Sequence, residues 1–196
     1  MHKTAYYIVN GLTLYRLLAA PVIILMIFTH HQEMFKWLLA FSFVTDAIDG
    51  FLARKGKVTS MFGSKLDSIA DDLTILAAIV GLAVFRWDFI IEEKLIILIL
   101  LFLYLLQTSL ALVRYRKISS FHTYAAKTAA IFQGVFFILV FFMPEPNRIL
   151  FYTAAILTIL DLVEEIILVL ILPEWKTNVR GLFWVLNPRC PPKGGQ

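Results

Sequence analysis

Six apolar stretches set the architecture of this chain: Leu12–Thr29, Met34–Phe51, Leu66–Phe85, Leu95–Val113, Ala125–Met143 and Ile149–Leu172. A helix of about 20 mainly apolar residues crosses a hydrocarbon core about 30 Å thick, and each stretch is close to that length. Backbone polar groups must be satisfied internally in lipid. The stretches therefore predict an all-α fold, six transmembrane helices in one bundle, with residues 1–196 as a single domain. Short connections lie at His30–Glu33, Arg86–Asp88 and Pro144–Asn147, and longer basic ones at Arg54–Lys65 and Arg114–Thr123. The tail after Lys176 is Pro/Gly-rich, and neither a repeat nor a low-complexity tract is visible. The first stretch lacks a small-residue cleavage site, so it reads as a span and not as a signal peptide.

Composition agrees. The chain is 60% hydrophobic and 16% charged, against about 45–50% and about 25% in soluble domains, which excludes a soluble globular or disordered chain. The lone cysteine, Cys190, excludes an intrachain disulfide and a cysteine-based metal site. Of the 18 Lys and Arg, all but Lys36, Arg86, Lys94 and Arg148 fall on or near the side that holds both termini and both basic loops. The positive-inside rule puts that side in the cytoplasm, giving a multi-pass protein of the cell inner (cytoplasmic) membrane. A basic face beside anionic headgroups needs no nucleic-acid partner, and no nucleic-acid-binding motif is present.

Carboxylates are the anomaly. An Asp at the centre of a spanning helix costs about 2.5–3.5 kcal/mol on insertion scales, so acids within spans read as functional. Asp46 and Asp49 close the second span, and Asp67 and Asp71 open the third. Spacings of three and four put each pair on one helical face. The loop joining the two spans is cytoplasmic by the charge rule, so both pairs share one depth near the cytoplasmic mouth of the bundle. Four such acids repel one another unless cations neutralise them. All-oxygen ligation suits Mg²⁺ or Mn²⁺, and four carboxylates can hold two divalent ions.

The segment from Asp46 to Asp71 reads DAIDGFLARKGKVTSMFGSKLDSIAD. It fits Asp-x2-Asp-Gly-x2-Ala-Arg-x8-Gly-x3-Asp-x3-Asp at Asp46, Asp49, Gly50, Ala53, Arg54, Gly63, Asp67 and Asp71. Gly50 and Ala53 let a nucleotide approach the helix closely, and Arg54 offers a forked donor set for phosphate oxygens. The segment resembles the signature of the CDP-alcohol phosphatidyltransferase family. The resemblance implies that Asp46, Asp49, Asp67 and Asp71 hold two divalent metals, and that Asp71 takes the proton from the acceptor hydroxyl. It also implies that Asp46, Gly50, Ala53, Arg54, Gly63 and Asp67 bind the CDP-lipid, joined by Ser60 three residues before the second glycine. Upstream, Asn10, Thr13 and Arg16 are similar to the family's Asn-x-x-Thr-x-x-Arg entry to the first span, which implies that Asn10 and Thr13 join the CDP-lipid site, although Asn10 is equally suited to a plain helix cap. The resemblance further implies a homodimer. Asp72 departs from the lysine that often follows the last acid in the phosphatidylglycerophosphate synthases of the family, which weakens that acceptor assignment.

The implied reaction transfers a phosphatidyl group from CDP-diacylglycerol, or a related CDP-lipid, to a small alcohol acceptor, expelling CMP. Arg114, Lys127 and Arg180 are either positive-inside anchors or a pocket for the phosphate of a phosphorylated acceptor such as glycerol 3-phosphate or inositol phosphate. His122 beside Tyr124 is a further candidate for that pocket. Asp161, Glu164 and Glu165 interrupt the last span and read as structural partners, with pairing to Arg16 one option and an extension of the polar site another. Trp175 and Trp184 fit an interfacial belt. Serine as acceptor, or transfer of a choline- or ethanolamine-type headgroup, is the alternative within the enzymes. A divalent-cation transporter is the alternative outside them, but such sites favour the membrane midplane and repeated halves, and this chain has neither.

Overall fold

The computed structural model describes residues 2–56, 61–116, 123–173, 179 and 181–187, with side chains described for all of these except 2–10, 49–56, 61–65, 67 and 68. Among them every regular element is a helix. They are α1 (His2–Phe28), α2 (Gln32–Gly56), α3 (Met61–Phe85), α4 (Trp87–Glu92), α5 (Lys94–Tyr115), α6 (Tyr124–Phe142), α7 (Arg148–Ile171) and α8 (Leu182–Leu186). The six long helices contain the six apolar stretches to within a residue at their ends. However, α1 starts ten residues earlier, and α2 and α3 carry helix into the connection expected at Arg54–Lys65, because polar residues can continue a helix beyond its apolar run. Three of them contain windows long and apolar enough to cross a membrane: Gly11–Phe28, Lys94–Tyr115 and Tyr124–Phe142. The six-span expectation is thus met by length and composition for α1, α5 and α6. The helices α2, α3 and α7 are as long but carry the acids, and α7 holds Asp161, Glu164 and Glu165 within every window of spanning length.

Helix ends follow local chemistry. α1 continues through Pro21; the carbonyl that Pro leaves unbonded is tolerated in a helix surrounded by neighbours. Because α1 begins at His2, Asn10 lies inside the helix and does not cap it. The turn after α1 places His30 at φ 55, which lets the chain reverse within Thr29–His31. The stretch Arg86–Asp88, expected to be a simple turn, breaks only at Arg86 and then forms the short helix α4. α6 and α7 are capped by side chains: Thr123 Oγ1 accepts from Ala126 N–H at 3.0 Å, and Asn147 Oδ1 from Leu150 N–H at 3.0 Å. These caps satisfy donors that a helix start leaves free. α8 arises within the Pro/Gly-rich tail, where no element was expected.

The helices gather into two compact units, Met1–Glu92 and Glu93–Gln196. In the first, α1 packs on both α2 and α3. Ala19, Ala20, Ile23 and Ile27 of α1 are buried together with Phe35 and Leu39 of α2, and with Ala70, Ala77, Ala78 and Leu82 of α3. So many alanines let backbones approach closely, which is how helices gain contact where lipid supplies no hydrophobic drive. In the second unit, α7 packs on both α5 and α6. Its Phe151, Ala154, Ala155, Leu168 and Val169 are buried, and Gln133 donates across from α6 to Thr158 at 2.6 Å. α5 buries only 11% of its spanning window, and Leu95, Leu98, Phe102, Leu105 and Val113 point outward. That all-round apolar surface suits lipid.

Candidate active site

The first unit brings three charged groups from three helices to one point. Arg16 of α1 donates through Nη1 to Asp46 Oδ1 of α2 at 2.7 Å, and the same Nη1 bonds Asp71 Oδ1 of α3. The helical register explains the meeting: Thr13 and Arg16, three apart on α1, are both buried, at 4% and 1% exposure. The carboxylates are 43% and 38% exposed. The cation is thus enclosed while both acids remain reachable from outside. A cavity of about 40 Å³ opens here, lined by Arg16, Phe43, Asp46, Asp71, Thr74 and Ile75. It has room for a few water molecules and not for a nucleotide, so a larger ligand binds over the exposed carboxylates and not within the cavity.

Charge accounts for the arrangement. Two carboxylates facing one another repel, and a guanidinium between them supplies the opposite charge with a rigid donor geometry. Sequence reasoning did not place Arg16 among the binding residues. The signal was present nonetheless: an arginine inside an apolar helix is costly and calls for a partner. Thr74, one turn beyond Asp71, donates its hydroxyl to Ala70 O at 2.8 Å, which satisfies this buried polar group within its own helix.

The other predicted residues divide as follows. Asp49, Gly50, Ala53 and Arg54 follow Asp46 on α2, and Gly63 and Asp67 precede Asp71 on α3. Asn10 lies on α1. The side chains of Asn10, Asp49, Ala53, Arg54 and Asp67 are outside the described residues, as are Ser60 and Arg180 altogether. Asp72 is exposed. Among the described residues, no group of three or more His, Cys, Asp or Glu side chains gathers to hold a metal. The donors that are described fit a hard divalent ion in kind: two exposed carboxylates brought to one point.

In the second unit the basic candidates have local partners. Arg114 donates through Nη2 to Leu172 O at 3.2 Å and lies 6.0 Å from the Tyr115 ring centroid. Tyr115 donates its hydroxyl to Val169 O and Leu172 O at 3.1 and 2.8 Å. Together they satisfy carbonyls that the end of α7 leaves free. Lys127 stands over the Tyr124 ring at 5.5 Å. His122 and Trp175 are outside the described residues. The acids of α7 take structural partners within the second unit. Glu165 accepts from Gln107 of α5 at 2.7 Å. Glu164 accepts from Leu182 N–H at 2.7 Å, and Asp161 from Thr123 at 3.4 Å.

Comparison with known proteins identifies a family. The sequence pattern described as CDP-alcohol phosphatidyltransferase matches residues 6–160. A CDP-diacylglycerol–glycerol-3-phosphate 3-phosphatidyltransferase of Cereibacter sphaeroides is 43% identical over 75 residues, covering 36% of this chain and 34% of that protein. A protein of Mycobacterium tuberculosis named "Probable phosphatidylglycerophosphate synthase" is 39% identical over 80 residues, 38% of each chain. A CDP-diacylglycerol–glycerol-3-phosphate 3-phosphatidyltransferase of Rickettsia typhi is 35% identical over 69 residues, 34% of this chain and 39% of that protein. The chain thus spans between about a third and two fifths of the length of the curated relatives it matches. No solved structure matches. The matched region runs from the first helix through the paired acids and into α7, and with three helices fit to span a membrane the chain is a multi-pass membrane protein that belongs to the CDP-alcohol phosphatidyltransferase family.

Proposed function

We propose that this chain transfers a phosphatidyl group from CDP-diacylglycerol, or a related CDP-lipid, to the hydroxyl of a phosphorylated alcohol such as glycerol 3-phosphate. The observation that carries the reading is the convergence of Asp46 and Asp71 on the buried Arg16. Both units are read as one family domain, since the match at 6–160 runs through each. The names of the relatives support glycerol 3-phosphate as acceptor, and the basic residues Arg114, Lys127 and Arg180 supply charge of the required sign.

Mechanism follows from the residues. The acceptor oxygen attacks the lipid-side phosphorus of the pyrophosphate; the new P–O bond forms as the bond to the CMP oxygen breaks, and CMP leaves with the electron pair. Asp71 takes the hydroxyl proton, and its exposed carboxylate is accessible to an acceptor. Arg16 holds Asp71 and Asp46 in one orientation, so that attack is a positioned displacement and no covalent enzyme intermediate is required. Gly50 and Ala53 leave the face of α2 open to the nucleotide, and Arg54 offers donors to the pyrophosphate. Asp46, Asp49, Asp67 and Asp71 would hold two Mg²⁺ or Mn²⁺ ions, which when bound neutralise pyrophosphate charge. The reading includes six spans, both termini and the site on the cytoplasmic side of the inner membrane, and a homodimer.

The test is direct. Purified full-length protein in mixed micelles with CDP-diacylglycerol, Mg²⁺ and radiolabelled glycerol 3-phosphate should move the label into lipid with equimolar CMP. Asp71→Asn should abolish both. Turnover of serine without turnover of glycerol 3-phosphate would overturn the acceptor, and absence of CMP with either would overturn the reaction itself.

A further inference from the structure

The C-terminal segment, beyond the family match at 6–160, has a surface that phosphatidyl transfer leaves unused. Val179 is buried in a cluster with Ala111, Leu168, Val169 and Leu172, and Leu182 and Val185 pack on the same cluster. Glu164 accepts the Leu182 N–H at 2.7 Å, and the Trp184 ring lies 5.5 Å from Tyr124. One face of α8 is therefore fixed to the second unit. The opposite face presents Phe183 and Leu186, 67% and 61% exposed. Water on such a face is unfavourable in proportion to its apolar area.

Position and charge identify what covers it. α8 sits where α5 ends, α6 begins and α7 ends, as its contacts with Ala111, Tyr124 and Leu172 require. α5 and α6 are both of spanning length, so their ends mark the boundary between hydrocarbon and water. Arg114 and Arg116 are exposed at this same end, and Arg189 and Lys193 follow α8 in sequence. Basic groups beside outward aromatic and aliphatic side chains, with Tyr and Trp at the same level, match the headgroup layer of an anionic leaflet. We infer that α8 is an interfacial anchor: it lies along an anionic membrane surface with Phe183 and Leu186 inserted at the headgroup–acyl boundary.

Full-length protein carrying Cys190→Ala, with either Phe183→Cys or Leu186→Cys labelled with a nitrobenzoxadiazole dye, tests this in vesicles of phosphatidylglycerol and phosphatidylcholine. Both labels should show blue-shifted emission, quenching by lipids bearing a nitroxide just below the headgroup, and loss of quenching by aqueous iodide. In phosphatidylcholine alone the emission should shift back toward the red. Iodide quenching equal to that of the free dye at both positions overturns the anchor. Shielding that disappears when the protein is diluted into excess lipid also overturns it, since a second copy then covers the face. Emission indifferent to phosphatidylglycerol overturns the preference for an anionic surface.

Discussion

At the scale of single residues, Arg16 is the group on which the site turns. It joins three helices through one guanidinium, and each carboxylate it holds comes from a different helix. Arg16→Gln removes the charge and leaves two acids opposed. The expected cost is about 1.5–3 kcal/mol of stability, the range for hydrogen bonds to charged groups, read as a lowered thermal midpoint in detergent. CMP release should fall by about a hundredfold, the scale of loss when reacting groups shift by about an ångström. Arg16→Lys should recover part of the stability and less of the activity, because an ammonium offers no planar fork. Asp46 and Asp71 were legible in the sequence as candidates, since acids spaced three and four apart on adjoining helices stand out without any knowledge of packing. The partners of the arginine between them were not. Its partners lie 30 and 55 residues away, and no local pattern records such a distance.

Elements show the same division between what is local and what is remote. The helices α1 to α3 and α5 to α7 were readable as apolar runs; the ends of α5, α6 and α7 fall close to the expected ones, whereas α1 begins ten residues early and α2 and α3 extend into the expected basic connection. What escaped was the tertiary use of polar groups within or beside those runs. Glu93, just before α5, is 6% exposed and accepts from Arg148 at 3.0 Å and from the Tyr152 hydroxyl at 3.0 Å, clasping the start of α5 to the start of α7. Glu93→Gln should cost about 1–3 kcal/mol, the penalty for leaving buried polar partners unmatched, measured as loss of the folded fraction on heating. In the first unit, a Cβ built at Gly81 of α3 clashes with Cζ and both Cε atoms at the tip of the Phe35 ring on α2. That ring is fully buried and packs against Phe85 at 5.2 Å, so moving it disturbs its neighbours. Ala is favoured over Gly in a helix by about 1 kcal/mol, but overpacking costs about 1–3 kcal/mol. Gly81→Ala should therefore lower the thermal midpoint despite its better helix propensity. α4 and α8 were not legible because each is shorter than two helical turns' worth of pattern, and tertiary contacts decide them.

For the whole molecule, the distribution of Lys and Arg makes the strongest topological statement. In a Cys190→Ala background, cysteines introduced at Thr59 and Ser119 should react with a membrane-impermeant maleimide only from the cytoplasmic side, and those at His31 and Glu145 only from the opposite side. Same-side labelling of all four would contradict six spans. The acids of α7 raise a separate matter, that of assembly. Glu165 depends on Gln107 of α5 and Glu164 on the backbone of the tail at Leu182. Emerging from the ribosome, α7 meets one of these partners already made and the other still to come. A translocon releasing helices singly would hand α7 to the lipid with its acids bare. Retaining α5 beside α7 until Leu182 has been made would spare Glu164 and Glu165 that exposure.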